Sequence, residues 1–178
     1  LLDLEDSVLP QHKAAAREAV VQRLTDHPAL RAAVRLNTLS GRDGIKDLLA
    51  LVEAGCVPEL LILSKPSLSA HLELACSILR EAGAHARLFP IIETPRALWE
   101  LGQLATAPEM LGGVIFGAAD FASEMGLDPD EAAFATSVRT MIALHAQRLR
   151  IDAIDSPCFA VNDEEAVAAE AMLARRLG

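Results

Sequence analysis

Short apolar runs alternate with longer runs of helical period along the chain. The apolar runs read LLDLED, AAVRLN, ELLILSKP, ARLFPIIE, GGVIFGAAD and RIDAIDSP. After each run, apolar residues recur at the three- and four-residue spacing of a helix with one buried face, as in HKAAAREAVVQRL and GIKDLLALVEAG. The alternation predicts six strand–helix units of about 30 residues each. No low-complexity segment separates them, so we expect a single domain spanning residues 1–178.

The fold class follows from the composition of the predicted strands. They are apolar along most of their length, which is typical of parallel strands buried on both faces. A doubly wound sheet and a (β/α)₈ barrel both fit this α/β pattern. A doubly wound nucleotide-binding protein should have a glycine-rich loop after its first strand, whereas this strand leads into EDSVLP, whose carboxylates would repel a phosphate. We therefore predict a (β/α)₈ barrel of the TIM type.

The number of units and the two ends of the chain modify this prediction. Six units fall short of eight, the sequence begins within a predicted strand at Leu1, and it ends just after a predicted helix at Gly178. We therefore expect a barrel that lacks its first and last units in this sequence, and strand edges that a tail or another subunit covers.

Composition and charge exclude several classes of partner. The chain carries 16 Lys and Arg against 25 Asp and Glu, for a net charge of −9, and the basic residues are scattered, which disfavours nucleic acid. No apolar run reaches the roughly 18 residues of a membrane helix, and the first residues do not resemble a signal peptide, so we expect a cytoplasmic protein without a membrane partner. The three cysteines lack the spacing of a disulfide framework or a zinc site.

Charged or polar residues stand at the ends of the predicted strands. They are Glu5, Asp6, Arg35, Asn37, Lys65, Glu93, Asp120 and Asp155. In a barrel these strand ends meet at one mouth, where catalytic residues lie, so the acids could surround one or two cations. Glu5, Asp6 and Asp155 could equally be helix-capping or first-turn carboxylates.

Glu93 and Asp120 are the strongest candidates for metal ligands. Thr94 is suited to cap the next helix and Pro95 to its first position, which leaves Glu93 as the last strand residue. Residues 117–119 before Asp120 read GAA, so a ligand could approach the backbone closely. Two carboxylates are too few for an all-protein calcium cage but suit magnesium, which keeps waters and shares oxygens with its substrate.

Several segments together resemble the citrate lyase beta-subunit-like proteins of the HpcH/HpaI aldolase superfamily. They are LLDLEDSVLPQHKAAAREAV, VRLNTL, LILSKP, PIIETPRAL, FGAADFASEMGL and AIDSPCF, in that order along essentially the whole chain. The resemblance implies a magnesium-dependent (β/α)₈ barrel that cleaves or forms a carbon–carbon bond next to a thioester or keto acid. Many members carry a second acid directly before the metal-binding aspartate, where this chain has Ala119.

The resemblance also implies roles for the strand-end residues. Glu93 and Asp120 would bind the magnesium ion, and Arg35 would contact a carboxylate or carbonyl of the substrate. The acidic pair Glu5 and Asp6 would lie near the metal's waters. Further substrate contacts are expected from Lys65, Ala119 and Asp155. In the family, the general base often comes from a C-terminal segment absent from this sequence, sometimes that of a neighbouring subunit.

Three functions remain open from the sequence. The first is a magnesium-dependent lyase that cleaves a citryl-, malyl- or citramalyl-type thioester of coenzyme A or acyl carrier protein through a metal-stabilised enolate, within a homo-oligomer, which we expect to be a trimer. The second is a magnesium-dependent aldolase that acts on free keto acids, and the third is a noncatalytic barrel subunit. Lys65 could instead be a Schiff-base nucleophile, or could pair with Glu5 or Glu93. We expect Trp99 to pack inside the protein and the five histidines to lie at the surface.

Overall fold

A computed structural model of the chain describes residues 1–128, 132–160 and 162–177. Within these residues the strands are β1 (Leu2–Asp3), β2 (Ala33–Leu36), β3 (Leu60–Leu63), β4 (Arg87–Ile92), β5 (Gly113–Phe116) and β6 (Asp152–Ile154). The helices are α1 (Lys13–Asp26), α2 (Arg42–Glu53), α3 (Leu68–Glu81), α4 (Pro95–Gln103), α5 (Ala118–Met125), α6 (Ala132–Leu149) and α7 (Glu164–Leu177), and a 3₁₀ turn at Pro10–His12 precedes α1.

The described residues group into two compact units. Unit 1 comprises Leu1–Ile91 and Pro108–Gly112, and unit 2 comprises Ile92–Ala107 and the described residues of Gly113–Gly178. Each unit is a run of parallel strands joined by helices.

Unit 1 is a parallel sheet whose strands stand in sequence order. β1 pairs with β2, β2 with β3, and β3 with β4. This is the strand order of a barrel. In a doubly wound sheet, by contrast, the order of the strands reverses at the first strand. The core combines strand and helix residues. Those with at most 1% exposure include Val34, Leu36, Leu61, Leu63 and Leu88 of the strands and Leu48, Leu51, Leu72 and Leu79 of the helices.

Unit 2 contains the parallel pair β5 and β6, with Val114 opposite Ala153. The backbone N–H of Gly117, directly after β5, donates to the Ile92 carbonyl at the end of β4 at 3.0 Å. All three residues of β6 are exposed, which differs from the expected burial on both faces. The six predicted strand–helix units are therefore present, with one helix, α5, added between β5 and α6.

Two side chains lie where the sequence pattern did not place them. Trp99 is 71% exposed, so the prediction that it packs inside is wrong. It lines an open apolar groove of about 590 Å³ in unit 2 together with Leu98, Met125 and Met141. His71, predicted at the surface, is buried.

Among the described residues, none of the helices has both the length and the apolar composition needed to cross a membrane.

Candidate active site

Arg35 is surrounded by three carboxylates of unit 1. It lies in β2 directly opposite Asp3 of β1. Its guanidinium donates two hydrogen bonds to the Asp3 carboxylate, from Nε to Oδ1 at 2.7 Å and from Nη2 to Oδ2 at 2.5 Å. The third nitrogen, Nη1, lies 3.1 Å from Glu5 Oε2 and 3.4 Å from Asp6 Oδ2. The structure therefore brings together three predicted site residues and adds Asp3, which the sequence reasoning missed.

The electrostatics of this cluster differ from one carboxylate to the next. Burial raises the pKa of Glu5, and the neighbouring Asp6 carboxylate raises it further, which outweighs the opposing effect of Lys65. Burial tends to raise the pKa of Asp3 as well, but the hydrogen bonds from Arg35 and from backbone N–H groups outweigh it and bring the pKa well below the ordinary value. Burial tends to raise the pKa of Asp6, but the hydrogen bond with Glu5 and the positive charges of Lys65 and Arg35 outweigh it, so the pKa is lowered. The bond to Asp3 raises the pKa of Arg35, so its charge persists at every working pH.

Lys65 follows β3 and joins the same cluster. Its Nζ lies 3.0 Å from Glu5 Oε1 and 3.6 Å from Asp6 Oδ1. The pairing with Glu5 is one of the two that the sequence suggested. The backbone of Lys65 has a φ of 45°, a conformation that residues with side chains adopt uncommonly. Its carbonyl accepts a hydrogen bond from Thr38 Oγ1 at 3.3 Å, which ties the ends of β2 and β3 together.

A buried polar network supports the ends of β1 and β2. Asp47 of α2 has a fully buried side chain and accepts hydrogen bonds from Asn37 N at 3.0 Å, Asn37 Nδ2 at 2.7 Å and Arg17 Nε at 2.7 Å. Asn37 Nδ2 also donates to the Leu4 carbonyl at 2.8 Å. Lys13 of α1 donates to that same carbonyl at 2.8 Å. These contacts fix the turn that carries the acidic residues after β1.

Gly44 lets α2 start directly against the end of β2. A Cβ at this position would lie 2.2 Å from the Thr38 carbonyl oxygen and 2.5 Å from that of Asn37. Both are backbone atoms that cannot move aside locally, so any larger residue would push α2, and with it Asp47, away from the strand end.

A serine–histidine pair joins Ser40, in the loop after β2, to His71, in the first turn of α3. His71 Nε2 is 3.0 Å from Ser40 Oγ, and its Nδ1 accepts from the Ser67 backbone N–H at 3.2 Å. Because Nδ1 accepts, the neutral ring carries its proton on Nε2 and donates it to Ser40. His71 in this state cannot take a proton from the serine, so the pair joins the loop after β2 to α3 and is not a nucleophile with its base.

Glu93 of unit 2 lies immediately after β4 and is only 4% exposed. Helix α4 begins as the sequence predicted: Thr94 Oγ1 accepts the backbone N–H of Ala97 at 3.0 Å, and Pro95 occupies the first helical position. Since Thr94 caps the helix, Glu93 does not serve as the cap.

Asp120 is the third residue of α5 and is exposed, as is Ala119 before it. The hydrogen bond from Gly117 N to the Ile92 carbonyl holds the start of α5 against the end of β4. Glu93 and Asp120 therefore follow two neighbouring strand ends of one unit. Within the described part of the chain, no group of three or more His, Cys, Asp or Glu side chains is arranged to hold a metal ion.

Asp155 is paired with an arginine of the same unit. Its Oδ1 lies 2.9 Å from Arg139 Nε and also accepts the Ser156 backbone N–H at 2.8 Å. Arg139 Nη2 reaches Glu170 of α7 at 3.3 Å. Asp155 thus links the end of β6 to α6, and Arg139 in turn links α6 to α7; the sequence reasoning did not anticipate either contact.

The comparisons with known proteins identify the family. A family model described as HpcH/HpaI aldolase/citrate lyase matches residues 1–178. The chain belongs to this family. It is 31% identical over 193 residues to the citrate lyase subunit beta of Haemophilus influenzae, covering 100% of this chain and 64% of that protein. It is also 31% identical over 135 residues to an L-malyl-CoA/beta-methylmalyl-CoA lyase of Cereibacter sphaeroides, covering 71% of this chain and 42% of the lyase.

A similar solved structure supports the fold. The protein CitE from Mycobacterium tuberculosis, in complex with magnesium and pyruvate, superposes with a TM-score of 0.81 at 29% identity, covering 100% of this chain and 72% of CitE. The predicted family and the predicted α/β fold of TIM-barrel type are thereby confirmed. The chain spans less than two thirds of the length of the citrate lyase subunit.

Proposed function

We propose that this HpcH/HpaI family protein is a magnesium-dependent carbon–carbon lyase. Its substrate would be a citryl-, malyl- or citramalyl-type thioester of coenzyme A or acyl carrier protein. The observation that carries the proposal is the pair Glu93 and Asp120 at neighbouring strand ends of unit 2. The similarity to a protein crystallised with magnesium and pyruvate supports the same assignment.

The donor set fits magnesium by its chemistry. Magnesium binds oxygen ligands and is usually held by one or two carboxylates, with water and substrate oxygens supplying the rest. Glu93 is buried and therefore confined, whereas Asp120 is exposed on the first turn of α5 beside the small Ala119. When bound, the ion would act as a Lewis acid on a substrate oxygen that becomes negative as the carbon–carbon bond breaks.

The residues of unit 1 would supply charge for the rest of the substrate. Arg35 keeps its positive charge and offers a planar fork for a carboxylate or carbonyl. Lys65 would add a second cation, held beside Glu5 at 3.0 Å. Glu5 and Asp6 would orient water near the metal. Such preorganised charges contribute a few kcal/mol each to lowering a barrier, about 3 kcal/mol for a well-placed donor.

The two substrate contacts proposed in unit 2 differ in how accessible they are to a ligand. Ala119 is exposed and small, which suits close approach of a ligand. Asp155 would have to exchange its bond with Arg139 for one with the substrate. A cytoplasmic location and a homotrimeric assembly remain part of the same proposal, as does the single domain.

The thioester is favoured by relatives, since the chain resembles a malyl-CoA lyase as well as a citrate lyase subunit. An aldolase that acts on free keto acids is the second candidate, favoured by the pyruvate bound to CitE and by Ala119 in place of an acid. Both candidates use the same two carboxylates, so substrate profiling separates them.

The test is a substrate panel measured with the magnesium form and with chelator. Citryl-, malyl- and citramalyl-CoA would be assayed for release of oxaloacetate, glyoxylate or pyruvate, beside the matching free acids. We expect release from at least one thioester, loss of that release with chelator, and loss in Glu93→Gln. The matched control is Glu100→Gln in α4, which pairs with Arg96 at 2.7 Å and should retain activity. Turnover of free acids alone would favour the aldolase, and magnesium binding without any turnover would favour a noncatalytic subunit.

A further inference from the structure

Asp3 and Asp6 both contact Arg35, but they do so in different ways. Asp3 lies opposite Arg35 in the paired strands β1 and β2 and takes the side of the guanidinium formed by Nε and Nη2. Asp6 follows the strand, has a side chain 56% exposed, and reaches only Nη1 at 3.4 Å. One acid holds the group tightly from the sheet, and the other touches it loosely from the loop.

The geometry of a guanidinium gives the contact with Asp3 a consequence. The group has two edges that can bind a carboxylate with two parallel hydrogen bonds, one formed by Nε and Nη2 and one formed by Nη1 and Nη2. Asp3 occupies the first edge. The edge formed by Nη1 and Nη2 is then the one left for a substrate carboxylate. On this edge Nη1 contacts Glu5 at 3.1 Å and Asp6 at 3.4 Å, and Asp6 is the more distant and more exposed of the two.

We propose that Asp3 is a positioning residue, which locks the guanidinium of Arg35 so that its Nη1–Nη2 edge is presented to the carboxylate of the substrate. This rests on the proposed function, in which Arg35 binds that carboxylate. Asp3 itself would not touch the substrate. Asp6 would be the contact that the incoming carboxylate displaces.

Simple electrostatics and positioning predict opposite results for Asp3. Both Asp3→Asn and Asp6→Asn remove one negative charge beside Arg35, so electrostatics alone would make each variant bind an anion more tightly. If Asp3 positions the guanidinium, Asp3→Asn should weaken anion binding despite the gain in net positive charge. Asp6→Asn should bind the anion at least as well as the unmodified protein.

The binding experiment uses pyruvate as the carboxylate probe at saturating magnesium, measured by calorimetry. We expect Asp3→Asn to raise the dissociation constant by about tenfold or more, the effect of losing one well-oriented charged hydrogen bond. Asp6→Asn should leave it unchanged or lower it. The matched control is Asp43→Asn, an acid of the same unit that pairs with Arg17 at 3.0 Å, and it should not change pyruvate binding.

A second measurement does not depend on the proposed function. The ¹⁵Nε signal of Arg35, without ligand, reports rotation of the guanidinium about its Nε–Cζ bond. Asp3→Asn should speed this rotation several-fold, Asp3→Glu should restore part of the restraint, and Asp43→Asn should have no effect. Unchanged rotation in Asp3→Asn, or pyruvate binding as tight as in the unmodified protein, would overturn the role of Asp3. If the unmodified protein binds no pyruvate, the proposed function fails, and the rotation measurement alone decides whether Asp3 holds Arg35.

Discussion

Asp47→Asn should destabilise the protein strongly, although it changes a single oxygen to an amide nitrogen. The carboxylate of Asp47 is fully buried and accepts three hydrogen bonds, two from Asn37 and one from Arg17. The asparagine amide has one acceptor oxygen. If this oxygen faces Asn37, the amide N–H₂ faces Arg17 Nε–H, so that two donors oppose each other and a largely buried cation loses its buried partner.

The expected cost follows from the burial of the pair. The Arg17 side chain is 11% exposed and that of Asp47 is not exposed at all, and breaking such a pair by removing one charge costs about 3–5 kcal/mol. With a urea dependence of about 2 kcal/mol per molar, the unfolding midpoint should fall by about 1.5–2.5 M. Urea unfolding followed by circular dichroism measures this shift.

Asp43→Asn is the matched control, because Asp43 binds the same arginine from the surface. Its side chain is 50% exposed, so its loss should cost no more than about 1 kcal/mol. A second variant tests the cause: combining Asp47→Asn with Arg17→Met removes the unpaired cation and should recover part of the loss. If Asp47→Asn unfolds within about 1 kcal/mol of the unmodified protein, the buried network does not hold the strand ends as described.

Four further predictions concern the proposed site. Asp120→Asn should remove most magnesium affinity while the circular dichroism spectrum stays unchanged, and calorimetry showing full affinity would contradict the ligand assignment. Arg35→Lys should lower turnover by about tenfold or more with little change in magnesium affinity, because lysine cannot form a bidentate hydrogen bond with the substrate carboxylate. Borohydride added with a keto acid should leave the protein mass unchanged, whereas a reduced adduct on Lys65 in chelator-treated protein would establish a Schiff base. The pKa of Asp3 is lowered in the folded state, so its carboxylate is protonated less readily there than in the unfolded chain. The stability that the ionised carboxylate supplies is therefore present above about pH 4 and is lost progressively as the pH falls below about 4. Below that pH, the difference in urea midpoint between the unmodified protein and Asp3→Asn should shrink.

Local sequence patterns predicted the elements and the start of α4. The apolar strands and helical spacing depend on neighbours within a few residues, as do the Thr94 cap and Pro95, and the structure has them where expected. Asp3 was missed because its partner Arg35 is 32 residues away and its strand has only two residues. Trp99 was misplaced because helical spacing shows that a helix has an apolar face but does not show whether anything covers it.

Asp47 could have been found from the sequence. The buried positions of α2 are Gly44, Asp47, Leu48 and Leu51, which is the spacing of one helix face. An acid on the apolar face of a helix needs a buried partner, and the helical spacing of the sequence already places Asp47 on that face. The identity of the partner does not follow from the spacing, because Asn37 and Arg17 lie 10 and 30 residues away along the chain.

The surroundings of Lys65 favour metal chemistry over a Schiff base. A lysine nucleophile must lose its proton, which requires an apolar pocket or a second cation close by. Lys65 has two carboxylates near its Nζ, at 3.0 Å and 3.6 Å, and its side chain is 45% exposed. The second cation of the cluster, Arg35, contacts the same two carboxylates, and their negative charge offsets its effect on Lys65. The carboxylates and the exposure both stabilise the protonated amine. The negative charge that develops during carbon–carbon cleavage would then have to be stabilised elsewhere, which agrees with the proposal that Glu93 and Asp120, after neighbouring strand ends, hold a cation for that purpose.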